Sequence, residues 1–218
     1  TSAKNILLWE HKEKWLHNTA SPSELLERIV LSIEHAPIDK DEIGEIKVFY
    51  HTPLYTIVPT ELIGETELKE FLKFNIKTLA HDFIAQDAIL EGEAQILYIP
   101  YININNYFFE KFGSFSYYHS IGKWIDYCRE LNSENHQVFV NFDDKILDIV
   151  VLKDKQLILA NSFEYRSKED ALYYILFTME QLELDVESVP LILSGAIEVQ
   201  SDLYEYLYQY IRYIEFIN

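Results

Sequence analysis

Largely apolar runs separated by short polar connections predict three consecutive β-strands in the second half of the chain. The strands cover Gln137 to Asn141, Ile146 to Lys153 and Gln156 to Phe163. The connections between them, 143–145 and 154–155, are short and polar, as they are in antiparallel hairpins. We therefore expect an antiparallel meander of three strands.

The segment after the meander predicts a helix that begins at Ser167 and runs to about Leu184. Ser167 is placed as the N-cap, with Asp170 in the capping-box position three residues later. The first two turns, Ala171 to Phe177, are apolar on every side. Because such a helix needs to be covered all round, we expect it to lie between the sheet and a second layer.

The remaining C-terminal elements are a buried strand at Leu191 to Leu193, a helix that begins at Ser201 and a closing strand at Tyr213 to Ile217. The resulting order, β-β-β-α-β-α-β, is that of the core of the ribonuclease H-like fold. Residues 137–218 are therefore expected to form one five-stranded mixed sheet, with the 168–184 helix buried against it.

The first half of the chain is predicted to mix strands and helices. The predicted strands are Asn5 to Trp9, Glu45 to His51, Leu54 to Val58, Ala94 to Ile99 and Ser114 to Tyr118. The predicted helices are Ser23 to Ile33, Leu68 to Leu79, Asn105 to Phe112 and Ile121 to Leu131. The fold class is therefore mixed α/β, with an irregular N-terminal subdomain at 1–135 and a more regular C-terminal subdomain at 136–218.

Composition favours a globular protein without a membrane span. Of the 218 residues, 49% are hydrophobic and 15% are aromatic, which is enough for a packed core. The longest uninterrupted apolar stretch is too short to cross a bilayer. The single cysteine, Cys128, excludes an intramolecular disulfide and fits the cytoplasm. The chain begins with Thr rather than Met, which leaves a removed signal open.

The charge balance restricts the classes of partner. Thirty-six acidic residues against 18 basic ones give a formal net charge of −18. Such a field repels polyanions, so nucleic acid and anionic membranes are not expected as partners. Solubility alone is the simplest interpretation of the charge.

Four runs of sequence point to a known family. They are TIVPTEL (Thr56 to Leu62), VNFDDKILDIVVLKDKQLILANSFEY (Val140 to Tyr165), EDALYYILF (Glu169 to Phe177) and PLILSGAI (Pro190 to Ile197). They resemble a bacterial family of uncharacterised proteins, a domain of unknown function with an actin-like ATPase fold. The resemblance covers most of the chain from about Lys47 onward. It implies mixed sheets in two ribonuclease H-like domains that face a cleft, and leaves open whether the first domain is complete at its N-terminus.

The resemblance also indicates where a nucleotide would lie. In active members of the actin-like superfamily, an Asp and a Gly-rich hairpin turn hold phosphates and magnesium. The matching turn here, Asn141 to Lys145, has no Gly, and Asn replaces the leading Asp. Ser194–Gly195–Ala196 resembles the turn near the adenosine, or is simply a strand-to-helix turn. If a nucleotide is bound, we expect it beside Asp143, Asp144, Ser194 and Gly195.

The residues themselves predict no cofactor, catalytic group or metal site; ATP and magnesium are implied by the resemblance alone. Asp143, Asp144 and Asp148 form the densest carboxylate group. They suggest either a metal-dependent nuclease or, more simply, an exposed hairpin turn. No histidines pair at the spacing of a helical zinc site, and Cys128 has no identifiable base.

The tyrosines of the last helix suggest a contact surface. At about 100° per residue, one stripe is assigned to the core: Leu203, Tyr204, Leu207, Tyr208 and Ile211. Tyr206 and Tyr210 lie to the side of this stripe. They either cover the edge of the core with their hydroxyls in water or form a protein-binding patch.

The sequence therefore favours a non-catalytic protein-interaction or scaffold protein on a degenerate actin-like ATPase fold, a pseudo-ATPase. Its expected partner is another protein or a second copy of itself. The alternative is an ATP-binding or phosphotransfer protein that uses atypical phosphate loops.

Overall fold

The structure, a computed structural model, describes residues 9–13, 21–37, 43–64, 67–73, 76–79, 81–133 and 135–217. The chain forms two compact units, one made of residues 1–48 and 99–117 and the other of residues 49–98 and 118–218. The predicted division at residues 135 and 136 is a different one and stays a prediction. The predicted strand at 5–9 lies outside the described residues except for Trp9.

The elements follow the predicted order closely. The helices are α1 (Pro22–His35), α2 (Leu68–Lys73), α3 (Ile102–Phe112), α4 (Ser120–Leu131), α5 (Lys168–Gln181) and α6 (Asp202–Tyr208). The strands are β1 (Lys47–Tyr50), β2 (Tyr55–Pro59), β3 (Ala85–Ile89), β4 (Ala94–Tyr98), β5 (Ser116–His119), β6 (Gln137–Phe142), β7 (Ile146–Lys153), β8 (Gln156–Glu164), β9 (Leu191–Gly195) and β10 (Ile214–Phe216). Among the described residues, no helix combines the length and the apolar character that crossing a bilayer requires.

Local capping explains where several helices begin. Ser21 and Glu24 form a reciprocal capping box at the start of α1, and Pro22 occupies the first turn. The Ser167 hydroxyl accepts from the backbone N–H of Asp170 at the start of α5. In contrast, α2 spans only Leu68–Lys73 of the predicted 68–79. The Leu79 N–H and carbonyl bond to the side chains of Asp82 and Lys69.

A three-stranded antiparallel sheet in the second unit has the order β2-β4-β3. The sequence predicted β2 and β4 but not β3. Helix α4 packs close to this sheet at Gly122, where an added Cβ would lie 3.0 Å from side-chain atoms of Ile89 and Ile96. This glycine therefore allows the helix to approach the sheet.

The five-stranded sheet confirms the prediction for residues 137–218. Its order is β10-β9-β6-β7-β8, with antiparallel pairs on the β7 and β8 side and parallel pairs on the β9 and β10 side. One face packs under α5 and α6 and supplies a buried core: Val138, Val140, Phe142, Leu147, Ile149, Val151, Leu191 and Leu193. On the other face, Phe139, Val150 and Leu152 are buried as well, and α4 contacts β7 and β8.

Two predictions about helix faces were wrong. Helix α5 is buried on one side only, and its outer side exposes 59% of Tyr173 and 42% of Phe177. These two rings stack on each other at 5.8 Å, and their outer surfaces remain exposed. Tyr208 was assigned to the core but is 53% exposed, and it stacks on Tyr204 instead. Helix α6 ends at Tyr208. The rotation of about 100° per residue, which was used to place the side chains, therefore does not apply to the residues after Tyr208.

Candidate functional site

A row of polar side chains crosses the five-stranded sheet on the face opposite α5. Ser194 pairs in register with Asn141, Asn141 with Asp148, and Asp148 with Ser162. Because side chains alternate between the faces of a strand, these four residues project to the same side. We call Ser194, Asn141, Asp148 and Ser162 the polar row.

Hydrogen bonds join the polar row from one strand to the next. Ser194 Oγ donates to Asn141 Oδ1 at 3.0 Å, and Asn141 Nδ2 donates to Asp148 Oδ2 at 3.4 Å. Ser162 Oγ donates to Asp148 Oδ1 at 2.5 Å. The Asp148 carboxylate is only 2% exposed, so these donors replace the water that a buried charge loses.

His51 connects the buried end of the site to the β6–β7 turn. Its Nε2 lies 3.0 Å from Asp148 Oδ2, and its Nδ1 lies 3.2 Å from Asp143 Oδ2. An imidazole that donates at both nitrogens is the protonated imidazolium. The hydrogen bond to Asp148 raises the pKa of His51, burial opposes this, and the charges of Asp148 and Asp143 add to the rise.

Two more buried aromatic groups surround the site. The Tyr55 hydroxyl lies 3.1 Å from Ser162 Oγ. Ser162 gives its proton to Asp148, so Tyr55 is the donor of this bond, and burial raises the pKa of Tyr55. His119 Nε2 donates to the Thr52 carbonyl at 3.0 Å, and its Nδ1 accepts from the Ile121 N–H. Burial lowers the pKa of His119 to about 4, so this histidine is neutral.

The backbone of the β6–β7 turn is internally bonded. The Asp143 N–H donates to the Ile146 carbonyl at 2.9 Å, and the Asp144 N–H donates to the Asp143 carboxylate at 2.7 Å. The Asp143 carbonyl accepts from the Tyr165 hydroxyl at 2.8 Å. The turn is therefore held closed by its own groups and by Tyr165.

Gly195, which follows Ser194 of the polar row, lies directly against strand β6. Its φ is +81°, and an added Cβ would lie 2.1 Å from the Phe142 carbonyl oxygen and 2.6 Å from Asn141 Oδ1. The same carbonyl accepts from the Ala196 N–H at 2.7 Å. Only glycine fits this close approach.

The structure brings most of the predicted site residues together. Ser194, Gly195 and Asp143 surround Asn141 and Phe142, as just described, and Asp144 is exposed at the turn. Among the described residues there is no group of three or more His, Cys, Asp or Glu side chains arranged to hold a metal ion. Tyr206 and Tyr210 lie elsewhere, with ring centroids 5.5 Å apart, and Lys168 Nζ lies 5.1 Å from the Tyr206 ring centroid.

Sequence reasoning missed His51, Ser162 and Tyr55. A signal for Ser162 was present, because it and Asp148 interrupt apolar strands and fall in register once the hairpin is paired. No local signal exists for His51, which is 97 residues from Asp148 along the chain.

A family model described as a protein of unknown function (DUF3822) matches residues 1–214. The chain belongs to this family. The suspected resemblance is thereby confirmed, and the DUF3822 match includes the first 46 residues, which contributed little to the sequence argument. No curated protein matches this DUF3822 chain.

Solved structures show the fold of this DUF3822 chain. A crystal structure from Bacteroides thetaiotaomicron VPI-5482, a protein with an actin-like ATPase fold and unknown function, matches with a TM-score of 0.80 and 19% identity. The match covers 89% of this chain and 76% of that one. The fold is therefore the mixed α/β actin-like ATPase fold. An AlfA filament bound to AMPPNP gives a TM-score of 0.33 and 11% identity over 53% of this chain and 47% of that one, which is too weak for any inference.

Proposed function

We propose that this DUF3822 chain is a non-catalytic protein-interaction or scaffold protein on a degenerate actin-like ATPase fold. The observation that carries the proposal is the bridge from Asp143 through His51 to Asp148. It lies at the turn where the resemblance puts nucleotide phosphates. The His51 side chain thus already pairs with one carboxylate of this turn and with the buried carboxylate beside it.

The turn offers poor chemistry for phosphate. Phosphate-binding turns present free backbone N–H groups, which glycine makes accessible. Here the N–H groups of Asp143 and Asp144 already have acceptors. The Asp143 and Asp144 carboxylates would also repel a phosphate that brings no metal ion. Because both N–H groups are already used, the turn fits a magnesium–nucleotide complex poorly.

The turn Ser194–Gly195–Ala196 has a structural role that accounts for its small residues. The Ser194 hydroxyl is used by Asn141, and Gly195 is required for contact with the Phe142 backbone. Neither feature needs an adenosine. This supports the interpretation of Ser194–Gly195–Ala196 as a strand-to-helix turn.

The remaining parts of the proposal follow the resemblance and the composition. We assign the chain two ribonuclease H-like domains, at 1–135 and 136–218, and a cytoplasmic location. Contact with a protein partner, or with a second copy, is assigned to Tyr206 and Tyr210. Tyr210 is 46% exposed, and exposed tyrosine supplies large contact area at low ordering cost.

Thermal unfolding with nucleotides tests this function. We expect the same melting temperature with millimolar Mg-ATP, with Mg-AMP and without nucleotide. A ligand at a hundredfold excess over its Kd would stabilise the native state by about 2.7 kcal/mol, which raises the melting temperature by about 5–10 °C in a chain of this size. Such a rise with Mg-ATP but not with Mg-AMP would establish the alternative, an ATP-binding protein with atypical loops.

A further inference from the structure

The outer face of α5 places aromatic rings between carboxylates. Glu169, Tyr173, Phe177 and Glu180 follow one another at spacings of four, four and three residues, which puts them on one side of a helix. Both rings are well exposed and stack on each other at 5.8 Å with 20° between their planes. We call these four residues the α5 outer face.

The segment of chain that forms most of α5 and all of α6 is strongly acidic. From residue 169 to residue 211 the chain contains no Lys and no Arg. The acidic residues of this segment are Glu169, Asp170, Glu180, Glu183, Asp185, Glu187, Glu198, Asp202 and Glu205. All of them except Asp170 are exposed, and α6 contacts α5 in the same layer. The nearest basic residues along the chain are Lys168, which lies against Tyr206, and Arg212.

We propose that the α5 outer face docks an arginine-rich segment of a partner protein. Guanidinium groups stack on exposed aromatic rings and pair with carboxylates, and this face supplies both at neighbouring positions. The inference rests on the proposed interaction role and names the chemistry of the partner. A second copy would bring the same charge of −18 to this face, and nucleic acid is repelled for the same reason.

A peptide titration tests this surface directly. The probe is a fluorescein-labelled peptide of eight Arg-Ser repeats, compared with one of eight Lys-Ser repeats, and binding to the full chain is followed by fluorescence anisotropy. We expect Tyr173→Gln with Phe177→Gln to weaken the arginine peptide about tenfold and the lysine peptide less, because arginine stacks better. Glu169→Gln with Glu180→Gln should weaken both peptides and flatten the dependence of affinity on salt.

A matched pair of variants distinguishes binding at the α5 outer face from attraction by the net charge of the whole protein. Glu110→Gln with Glu130→Gln removes the same charge at exposed sites elsewhere, and we expect less than about a twofold effect. Melting temperatures confirm that each variant is folded. The proposal is overturned if this control pair weakens binding as much as the α5 pair, or if the Tyr173 and Phe177 changes have no effect.

One further outcome identifies a different occupant. If the wild type sediments as a dimer and the Tyr173 and Phe177 changes make it a monomer, the face binds a second copy and the proposal is wrong. The peptide titration contains no nucleotide. Its failure would contradict the inference about the α5 outer face, whereas a rise in melting temperature with Mg-ATP would contradict the proposed function.

Discussion

His51 and His119 both lie in the second unit, and their surroundings move their pKa values in opposite directions. The pKa of His51 is raised from 6.5, chiefly by its hydrogen bond to Asp148. Its stabilisation is therefore fully present below about pH 6.5 and is lost as the pH rises through the folded value. Burial lowers the pKa of His119 to about 4. As the pH falls, His119 therefore takes up a proton in the unfolded chain before it does so in the folded chain. The free energy of unfolding decreases for this reason between pH 6.5 and pH 4.

The bridge from Asp143 through His51 to Asp148 should contribute to stability in a pH-dependent way. His51→Gln should lower the free energy of unfolding by about 2 kcal/mol at pH 6, because a hydrogen bond to a buried carboxylate is lost. The loss should become smaller as the pH is raised from 6 through the folded pKa of His51, because the wild-type imidazole then gives up its proton. Urea unfolding at pH 6 and at pH 9 measures both quantities.

A matched histidine change serves as the control for this bridge. His81 is exposed, and His81→Gln should leave the unfolding free energy unchanged at either pH. A deficit in His51→Gln that stays equal from pH 6 to pH 9 would show that the ring acts only by packing.

The second residue-scale prediction concerns the turn after β9. Gly195→Ala should lower the free energy of unfolding by at least about 2 kcal/mol, since the methyl group meets the Phe142 carbonyl in a backbone conformation that alanine avoids. In Gly44→Ala the new methyl group meets no atom within 4 Å, so this variant should unfold like the wild type. Equal denaturation midpoints for the two variants would contradict the close approach.

Local sequence signals, which act within a few residues, were sufficient to predict most of the helices and strands. The meander, the Ser167 cap and the C-terminal strands follow from apolar runs, short polar connections and capping, and the structure has them. Strand β3 was missed because Gln86 and Asp87 interrupt its short apolar pattern. The two-sided cover of α5 was wrong because periodicity does not show that Tyr173 and Phe177 stack on each other with their outer surfaces exposed. The sequence named Asp143, Ser194 and Gly195, which lie close together in the structure. It did not indicate His51, because this residue reaches Asp148 across 97 positions of the chain.

The last helix supplies the element-scale prediction. Tyr206→Lys with Tyr210→Lys should abolish self-association, or binding of a partner, while the melting temperature stays the same. The reason is that Tyr210 is largely exposed and Tyr206 lies beside Lys168 at the margin of the core. Sedimentation velocity and thermal unfolding provide the two measurements.

Tyr208 offers the matched control for the two tyrosines. It is 53% exposed and lies two residues from each of them along the chain, on a different side of the helix from Tyr206, so Tyr208→Lys should leave association intact. A large fall in melting temperature for the double variant, with association retained, would assign Tyr206 and Tyr210 to the edge of the core instead.

The chain as a whole has the actin-like ATPase fold. A fold does not by itself assign an activity. Two features of the second unit support the proposed interaction role. His51 lies between the carboxylates of Asp143 and Asp148, and residues 169–211 include nine acidic residues and no Lys or Arg.

The bridge between His51 and Asp148 also has a consequence for folding kinetics. It joins residues 97 positions apart, so it forms only after a long loop of chain has closed. The hairpins of the meander need only local contacts and can form earlier. Interactions that are absent from the folding transition state act on the unfolding rate. We therefore expect the bridge to lengthen the time that a native molecule persists before it opens, with little effect on how fast a new one folds.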